Sequence, residues 1–275
     1  MNALEGHLDL VAGVSPEGRT VLTDQSFQAP YHLSKPYWDA EACVLHVQVV
    51  NPTAGVLAGD ALRSSVNVGR EAAVLVSTPS ATRIFRMEDE HSASSRQEWK
   101  VAAGGWLEVS PEPLVPHRGS RFTQETILDV APGGACLLVD QLMPGRLAFG
   151  EAWQWSRLTL GLTLRIGGRL MLRERFDQTG ETLRELSEFH GTGPTACFAN
   201  LLLVLPTTEA APAWVATIRA LHGPGLWVGV TSLSGSAWSL RLIADGPLRM
   251  RDALTGIRSE LRKAYPRLGC PLRRP

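Results

Sequence analysis

The sequence has no excess of charge of either sign and only four cysteines in 275 residues. Its 27 basic side chains balance its 27 acidic ones, so the formal net charge at pH 7 is zero. This balance argues against a protein that binds nucleic acid or an anionic membrane surface through a basic patch. The cysteines lie far apart, without a Cys-x-x-Cys pair. Their spacing argues against a zinc ribbon or a disulfide framework and fits a reducing compartment.

Long apolar runs are also missing from the sequence. The longest apolar stretch, around residues 196–205, is far shorter than the ~18 residues that a membrane-spanning helix needs. The first residues show neither the basic region nor the apolar region of a secretory signal peptide. We therefore expect a cytoplasmic protein that does not bind a membrane.

Motifs for nucleotide hydrolysis and metal binding are absent. None of the three lysines follows a glycine, so the chain cannot form the Walker A loop that holds nucleotide phosphates. There is no Gly-x-Ser-x-Gly motif of a serine hydrolase. The seven histidines form no His-x-His or His-Glu-x-x-His pair, so no local sequence predicts a preassembled metal site. These absences fit a protein that is not an enzyme.

Period-two alternation of apolar and polar residues dominates the first two thirds of the chain. It is clearest in residues 44–50, 73–77, 99–101 and 157–166, where it predicts half-buried strands. Glycine and proline separate these runs at short intervals, which is typical of a mainly β protein with tight turns. The sequence shows no linker, and we predict a single domain over residues 1–275.

A strand–turn–strand pattern recurs roughly every 30 residues. The three copies are residues 68–76, 101–109 and 130–139. Units of this kind, stacked on one another, predict β-sheets of solenoid or β-helix-like character. The alternative is an antiparallel meander that reuses the same turn chemistry.

Helical periodicity is confined to the end of the sequence. Pro212 opens a segment with apolar residues spaced for one helix face, and residues 253–261 carry a clearer apolar stripe. Between them, residues 226–232 and 238–243 alternate as a strand pair. The prediction is a large β body with two short α-helices near the C-terminus.

Several carboxylates occupy positions where a strand pattern expects apolar side chains. These positions are Glu108, Asp140, Glu151 and Glu174. Alternation places Glu174 on the face of Leu172 and Phe176, and Asp140 on the face of Leu138. A buried carboxylate is unstable unless it has a partner. One interpretation is a set of internal ion pairs with arginines, and the other is a wet polar channel that passes a cation.

Four motifs follow one another in an order and spacing that resemble a known family. They span residues 55–60, 77–86, 105–113 and 144–151. Together they resemble the urease accessory protein UreD family, called UreH in some organisms. The resemblance covers the chain from its first strand to Phe176 and continues more weakly to the last helix.

The resemblance implies a nickel-insertion chaperone rather than an enzyme. Proteins of this family are expected to bind the urease apoprotein and UreF, with the GTPase UreG docking through UreF. A water-lined tunnel through the protein is expected to carry nickel, so the resemblance implies nickel in transit and no tightly bound cofactor. The predicted transient nickel ligands are Asp60, Asp140 and Glu174, and the predicted tunnel or structural residues are Thr82, Arg146 and Glu151.

Two alternatives remain open from the residues themselves. Asp60 follows a glycine-rich turn, where a carboxylate also serves to cap the turn for stability. The inward carboxylates are also compatible with a β-rich hydrolase, for example one that acts on glycosides, or with a ligand-binding module.

Overall fold

The computed structural model describes residues 3–88, 91–191, 193–209 and 212–273. Strands form 48% of the structure and helices 16%, so the fold is mainly β, as predicted. The strands are β1 (Glu5–Val14), β2 (Thr20–Phe27), β3 (His32–Leu33), β4 (Tyr37–Asp39), β5 (Val44–Val50), β6 (Ala61–Val68), β7 (Ala73–Ser77), β8 (Thr82–Ile84), β9 (Ala93–Val101), β10 (Trp106–Ser110), β11 (Leu114–Pro116), β12 (Arg121–Val130), β13 (Ala135–Leu142), β14 (Arg157–Ile166), β15 (Arg169–Gln178), β16 (Cys197–Val204), β17 (Leu226–Ser234) and β18 (Ala237–Ala244). The α-helices are α1 (Gly180–Phe189), α2 (Ala213–Arg219) and α3 (Pro247–Ala264).

The strands form two sheets that face each other. The strand order is β15-β14-β12-β9-β6-β1-β2 in the first sheet and β17-β18-β16-β13-β10-β7-β5-β3 in the second, with β4, β8 and β11 beside the second. From β5 to β14 the main strands alternate between the sheets, and neighbours within a sheet run parallel. Each turn of the chain therefore adds one strand to each sheet, which confirms the predicted solenoid-like stacking. The antiparallel meander is wrong, because consecutive strands of the repeat lie in different sheets.

The repeated strand–turn–strand segments are the crossings from the first sheet to the second. Their turns follow β6, β9 and β12 and stack on one another, with Gly104 N donating to Gly133 O at 3.0 Å. Gly104 and Gly133 have φ values of 71° and 79°, a region that glycine adopts without strain. A Cβ atom on Gly134 would come within 2.8 Å of the carbonyl oxygen of Ala102. Glycine in these segments therefore lets successive turns stack closely.

Apolar side chains fill the space between the sheets where the parallel strands of the first sheet end. The buried residues there include Leu10, Val66, Trp99, Leu128 and Leu164 from the first sheet and Val74, Leu107 and Leu138 from the second. The other face of the second sheet packs against α2 and α3. Because both faces of this sheet are covered, strands such as β7 read as continuous apolar runs. The result is three layers, two of strands and one of helices.

The helices differ from the prediction in number and length. The described residues form three α-helices rather than two, because the sequence analysis missed α1. In α1, Leu183 is the one large side chain that is buried, so its apolar stripe is too short to indicate a helix. The last helix, α3, is 18 residues long and buries Met250, Ala253, Ile257 and Leu261. The predicted strand pair is confirmed as β17 and β18. None of the helices in these described ranges combines the length and the apolar character of a membrane span.

A buried ion pair joins the helical layer to the second sheet. Glu108 of β10 is 1% exposed, and it accepts two hydrogen bonds from Arg258 of α3, at 2.7 Å from Nε and 3.0 Å from Nη2. Arg258 Nη2 also donates to the carbonyl oxygen of Cys270 at 2.6 Å. Burial raises the pKa of the Glu108 carboxyl, although the bond from Arg258 opposes this shift. For Glu108, the interpretation as an internal ion pair is therefore correct.

Replacing Arg258 with alanine is expected to lower the free energy of unfolding by about 3–5 kcal/mol, because the Glu108 carboxylate stays buried without its partner. The matched control is Arg262→Ala, since Arg262 lies on the same helix and pairs with Glu41 at 3.5 Å in an exposed position. The control is expected to cost less than about 1 kcal/mol. Urea unfolding followed by circular dichroism measures both values. Equal losses in the two variants would contradict the role given to the Glu108–Arg258 pair.

Candidate functional site

A cavity of about 820 Å³ separates the two sheets where the parallel strands of the first sheet begin. Residues of β6, β9, β12, β14 and β15 form one wall, and residues of β7, β13, β16 and β18 form the other. Segments 51–56 and 78–83 border the cavity, and Thr53 and Ser80 in these segments are exposed. The cavity is thus bounded by both sheets and reaches exposed residues at its rim.

Neutral polar side chains line the wall that the first sheet forms. Ser64, Gln97 and Thr126 are register partners on the adjacent strands β6, β9 and β12. Thr126 Oγ1 donates to Gln97 Oε1 at 3.1 Å. Ser95 and Gln124 form a second cross-strand pair on β9 and β12 and also line the cavity. These hydroxyl and amide groups form a polar strip in a wall that also carries apolar side chains such as Leu62, Phe122 and Leu160.

The sequence analysis missed this polar wall, although a signal for it is present. Ser64 shares a strand face with Val66, and Thr126 shares one with Leu128. Val66 and Leu128 are both buried between the sheets. Alternation that turns these apolar residues inward therefore turns Ser64 and Thr126 inward as well.

Asp140 lies in the opposite wall and has no partner for its carboxylate among the described residues. It is the register partner of Asn200 on β16, which is in turn the partner of Arg241 on β18. Burial raises the pKa of the Asp140 carboxyl to about 6. The residue is nevertheless partly accessible, and it lines the cavity. Asp140 therefore lies on the inward face that alternation predicts.

Glu174 lies in the wall of the first sheet and is ion-paired. Its register partner on β14 is Leu162, which continues the row that contains Thr126. Arg241 Nη2 donates to Glu174 Oε1, and the pair links β15 of the first sheet to β18 of the second. The Glu174 side chain is 27% exposed and that of Arg241 is 61% exposed. The pair therefore lies at the edge of the cavity, with its guanidinium toward solvent.

The predicted inward face of β15 is right only in part. Leu170 is 54% exposed. A bulge in the pairing of β14 with β15 sets Arg165 opposite Leu170 but Leu164 opposite Leu172. The bulge breaks the alternation at the start of the strand, and beyond it Glu174 keeps the inward position that the sequence predicts.

Of the four remaining predicted residues, Thr82 lies in the cavity wall and Asp60 lies outside it. Asp60 is 3% exposed. Its Oδ1 accepts a hydrogen bond from Leu4 N at 2.9 Å, and its Oδ2 accepts one from Leu57 N at 2.8 Å. These bonds fasten the turn before β6 to the start of the chain. The geometry of Asp60 is that of the turn cap left open as the alternative.

Arg146 and Glu151 form an ion pair in the segment between β13 and β14, outside the cavity wall. Arg146 donates to Glu151 at 2.8 Å from Nε and 2.5 Å from Nη2. Its guanidinium also lies 4.6 Å from the centre of the Phe149 ring. The hydrogen bond from Arg146 lowers the pKa of the Glu151 carboxyl. This pair fixes the shape of the segment and is structural.

Comparison with known proteins identifies the family. The family model for the UreD urease accessory protein matches residues 4–274. The chain belongs to the UreD family. The urease accessory protein UreD of Opitutus terrae is 53% identical over 269 residues, which cover 98% of each chain. UreD 2 of Streptomyces griseus is 34% identical over 284 residues, covering 98% of this chain and 94% of the relative. UreD of Deinococcus radiodurans is 30% identical over 243 residues, covering 88% and 84%.

Membership of the UreD family confirms the resemblance carried by the four sequence motifs. It also implies a role in urease maturation. The family is one of accessory proteins of urease.

Among the described residues of this UreD-family protein, the side chains that could bind a metal do not lie close together. Within the described part of the chain, no three His, Cys, Asp or Glu side chains lie together in a way that could hold a metal ion. Cys136 and Cys197 are buried, and burial raises the pKa of both thiols, that of Cys197 to about 12. A single unpaired carboxylate without histidine or thiolate ligands beside it is suited only to weak contact with a cation.

The geometry disfavours the hydrolase alternative. Acid–base cleavage of a glycoside needs two carboxyl groups that are free to exchange protons. Glu174 is paired with Arg241, and the third carboxylate that lines the cavity, Glu112, is paired with Arg273 at 2.7 Å. Asp140 is then the one unpaired carboxylate among the described wall residues.

Asp140→Asn is expected to stabilise the protein at pH 7 by up to about 3 kcal/mol, because raising a carboxyl pKa from 3.8 to about 6 costs this much. Between these two pH values the folded state holds a proton that the unfolded state has released, so the stability of the parent protein falls as pH rises through the window. The difference between the proteins should therefore be small near pH 4 and full above pH 6.5.

Urea unfolding at a series of pH values measures this difference. The matched control is Asp129→Asn, because Asp129 lies on the outer face of β12 near Arg165, at 3.7 Å. Its stability difference from the parent should not grow across the same window. A constant difference for Asp140→Asn would show that the Asp140 carboxyl is not held in an enclosed site.

Proposed function

We propose that this protein is a non-enzymatic chaperone of urease maturation that passes nickel to the urease apoprotein through the cavity between its sheets. It acts in the cytoplasm as a scaffold bound to UreF, and the GTPase UreG is attached through UreF. The observation that carries the proposal is the Asp140 carboxylate, which lines the cavity without an ion-pair or hydrogen-bond partner among the described residues. Family membership supplies the link to urease.

The state of Asp140 supports a role in moving a cation. An enclosed carboxylate without a partner lowers the stability of the folded protein, so its presence calls for a use beyond folding. With a pKa of about 6, the group is mostly ionised at neutral pH. An ionised carboxylate in a space of low effective dielectric constant attracts a divalent cation more strongly than one on the surface does.

The composition of the walls favours passage over storage. Several imidazole or thiolate ligands together would hold Ni²⁺ tightly. The cavity offers instead one unpaired carboxylate, two ion-paired carboxylates, and hydroxyl and amide groups such as those of Ser64, Gln97 and Thr126, in walls that also carry apolar side chains. Oxygen ligands and water form shallow sites, and conduction requires sites that an ion can leave. The wall is therefore suited to a hydrated ion that moves on.

The lack of a Walker A loop supports the division of labour with a GTPase partner. The chain cannot bind nucleotide phosphates in that manner, so hydrolysis that drives the transfer has to occur in another subunit.

The proposal is tested by reconstituting urease activation with Asp140→Asn and Asp140→Leu. Both variants remove the charge, and the leucine variant also makes this part of the wall apolar. We expect the rate of nickel delivery to fall about tenfold with leucine, which corresponds to about 1.4 kcal/mol in the barrier, and less with asparagine. The nickel content of purified urease, measured by mass spectrometry, is read beside the urease activity.

Two controls separate a blocked passage from a broken complex. Asp129→Asn removes a carboxylate from the outer face of the first sheet and should deliver nickel at the parent rate. Each variant should also retain UreF, UreG and urease apoprotein in a pull-down. Full nickel delivery by both Asp140 variants would rule out passage through the cavity while leaving the scaffold role intact.

A further inference from the structure

Three carboxylates line the cavity among the described residues, and they differ in how their charge is balanced. Glu112 accepts a hydrogen bond from Arg273 Nη2 at 2.7 Å, and Glu174 accepts one from Arg241 Nη2. Asp140 has no such partner in the described ranges. Two of the three acidic side chains in the walls are therefore paired with an arginine of the protein.

The strand order of the second sheet places Asp140 between Glu112 and Arg241, the partner of Glu174. Asp140 lies on β13, with β16 and β18 on one side and β10 on the other. Arg241, the partner of Glu174, lies on β18, two strands away from Asp140 in the same row. Glu112 lies just after β10. Along the wall of the second sheet, Asp140 therefore has Glu112 on one side and Arg241 on the other, and Glu174 reaches Arg241 from the first sheet.

In each pair the arginine is more exposed than the carboxylate. Glu174 and Glu112 are 27% and 29% exposed, whereas Arg241 and Arg273 are 61% and 68% exposed. Ion pairs with an exposed guanidinium are weak, because water competes for the charge. The arginine side chain is also long and flexible, so its head can turn into solvent without any change in the backbone.

We propose that Arg241 is the resident counter-ion of Glu174, and that a divalent cation entering the cavity displaces it. The inference rests on the proposed function and adds a residue that neither the motifs nor the family name assigns. In the empty cavity the guanidinium neutralises Glu174. When the cation arrives, Arg241 turns outward and Glu174 becomes a ligand, and when the cation leaves, Arg241 returns. Charge is balanced in both states, and no covalent step is involved.

Competition of this kind limits how tightly the cavity holds its cargo. A carboxylate that must exchange one cation for another binds the second more weakly than a free carboxylate does, because the first interaction is lost. Arg241 is thus a positioning residue that keeps the Glu174 site shallow. A passage needs shallow sites for its ion to move on.

The test measures Ni²⁺ binding to the full chain by equilibrium dialysis. Arg241→Ala is expected to bind Ni²⁺ about three- to tenfold more tightly than the parent, which is the range expected for release of a weak surface ion pair. Arg241→Lys keeps the positive charge and should stay within about twofold of the parent. Arg173→Ala is the matched control, because it removes the same charge from an exposed position on β15 next to Glu174, and it should also leave the affinity unchanged.

A double variant decides whether the gain depends on Glu174. Arg241→Ala combined with Glu174→Gln should lose the gain and bind no more tightly than the parent. The inference is overturned if Arg241→Ala binds no tighter than the parent, or if the double variant keeps the gain. Should Arg241→Ala fail to fold, Arg241→Gln provides the same comparison with a side chain of more similar length.

The outcome is distinguishable from failure of the proposed function. If Arg241→Ala tightens Ni²⁺ binding but Asp140→Leu activates urease normally, Arg241 is a counter-ion in a cavity that is not the route. If Asp140→Leu blocks nickel delivery and Arg241→Ala leaves the affinity unchanged, the route stands and the counter-ion role is wrong.

Discussion

The fold depends on the in-register pairing of parallel strands from successive turns of the chain. Pairing in register places residues of like orientation beside one another, so the side chains of one row share one face of the sheet. Rows of valine and leucine pack the two sheets together where the parallel strands of the first sheet end. Rows that contain Ser64, Gln97 and Thr126 leave an open space at the other end. A single architecture thus produces both the core and the cavity.

The two enclosed carboxylates of the second sheet, Glu108 and Asp140, have different surroundings. Glu108 is fully buried and held by two hydrogen bonds from Arg258, so it fastens the helical layer to the sheet. Asp140 lies on the opposite face of the same sheet, and burial raises its pKa without a compensating partner in the described residues. The first arrangement supports stability, and the second reduces it. The chain belongs to the UreD family, and in the function proposed above this destabilising group is the one that contacts nickel.

Much of the fold was predictable because alternation is a local property. The bounds predicted for β5, β7 and β14 agree with the structure, and the turn repeat indicated the stacking. The contacts that define the site are not local. Glu174 and Arg241 are 67 residues apart, and Asp60 is fixed by the backbone of Leu4, so sequence alone could not reveal either partner. Serine, glutamine and threonine on a strand also resemble solvent-facing residues until their register is known.

Anomalous diffraction at the nickel absorption edge, from crystals of the chain with its partners soaked in Ni²⁺, tests the central claim most directly. The claim is that the space between the sheets is a wet passage for the metal. We expect an anomalous signal beside the Asp140 carboxylate, with ordered water along the polar rows of the first sheet. Nickel found only on the outer surface, with Asp140 in a dry ion pair and the space closed, would contradict the account.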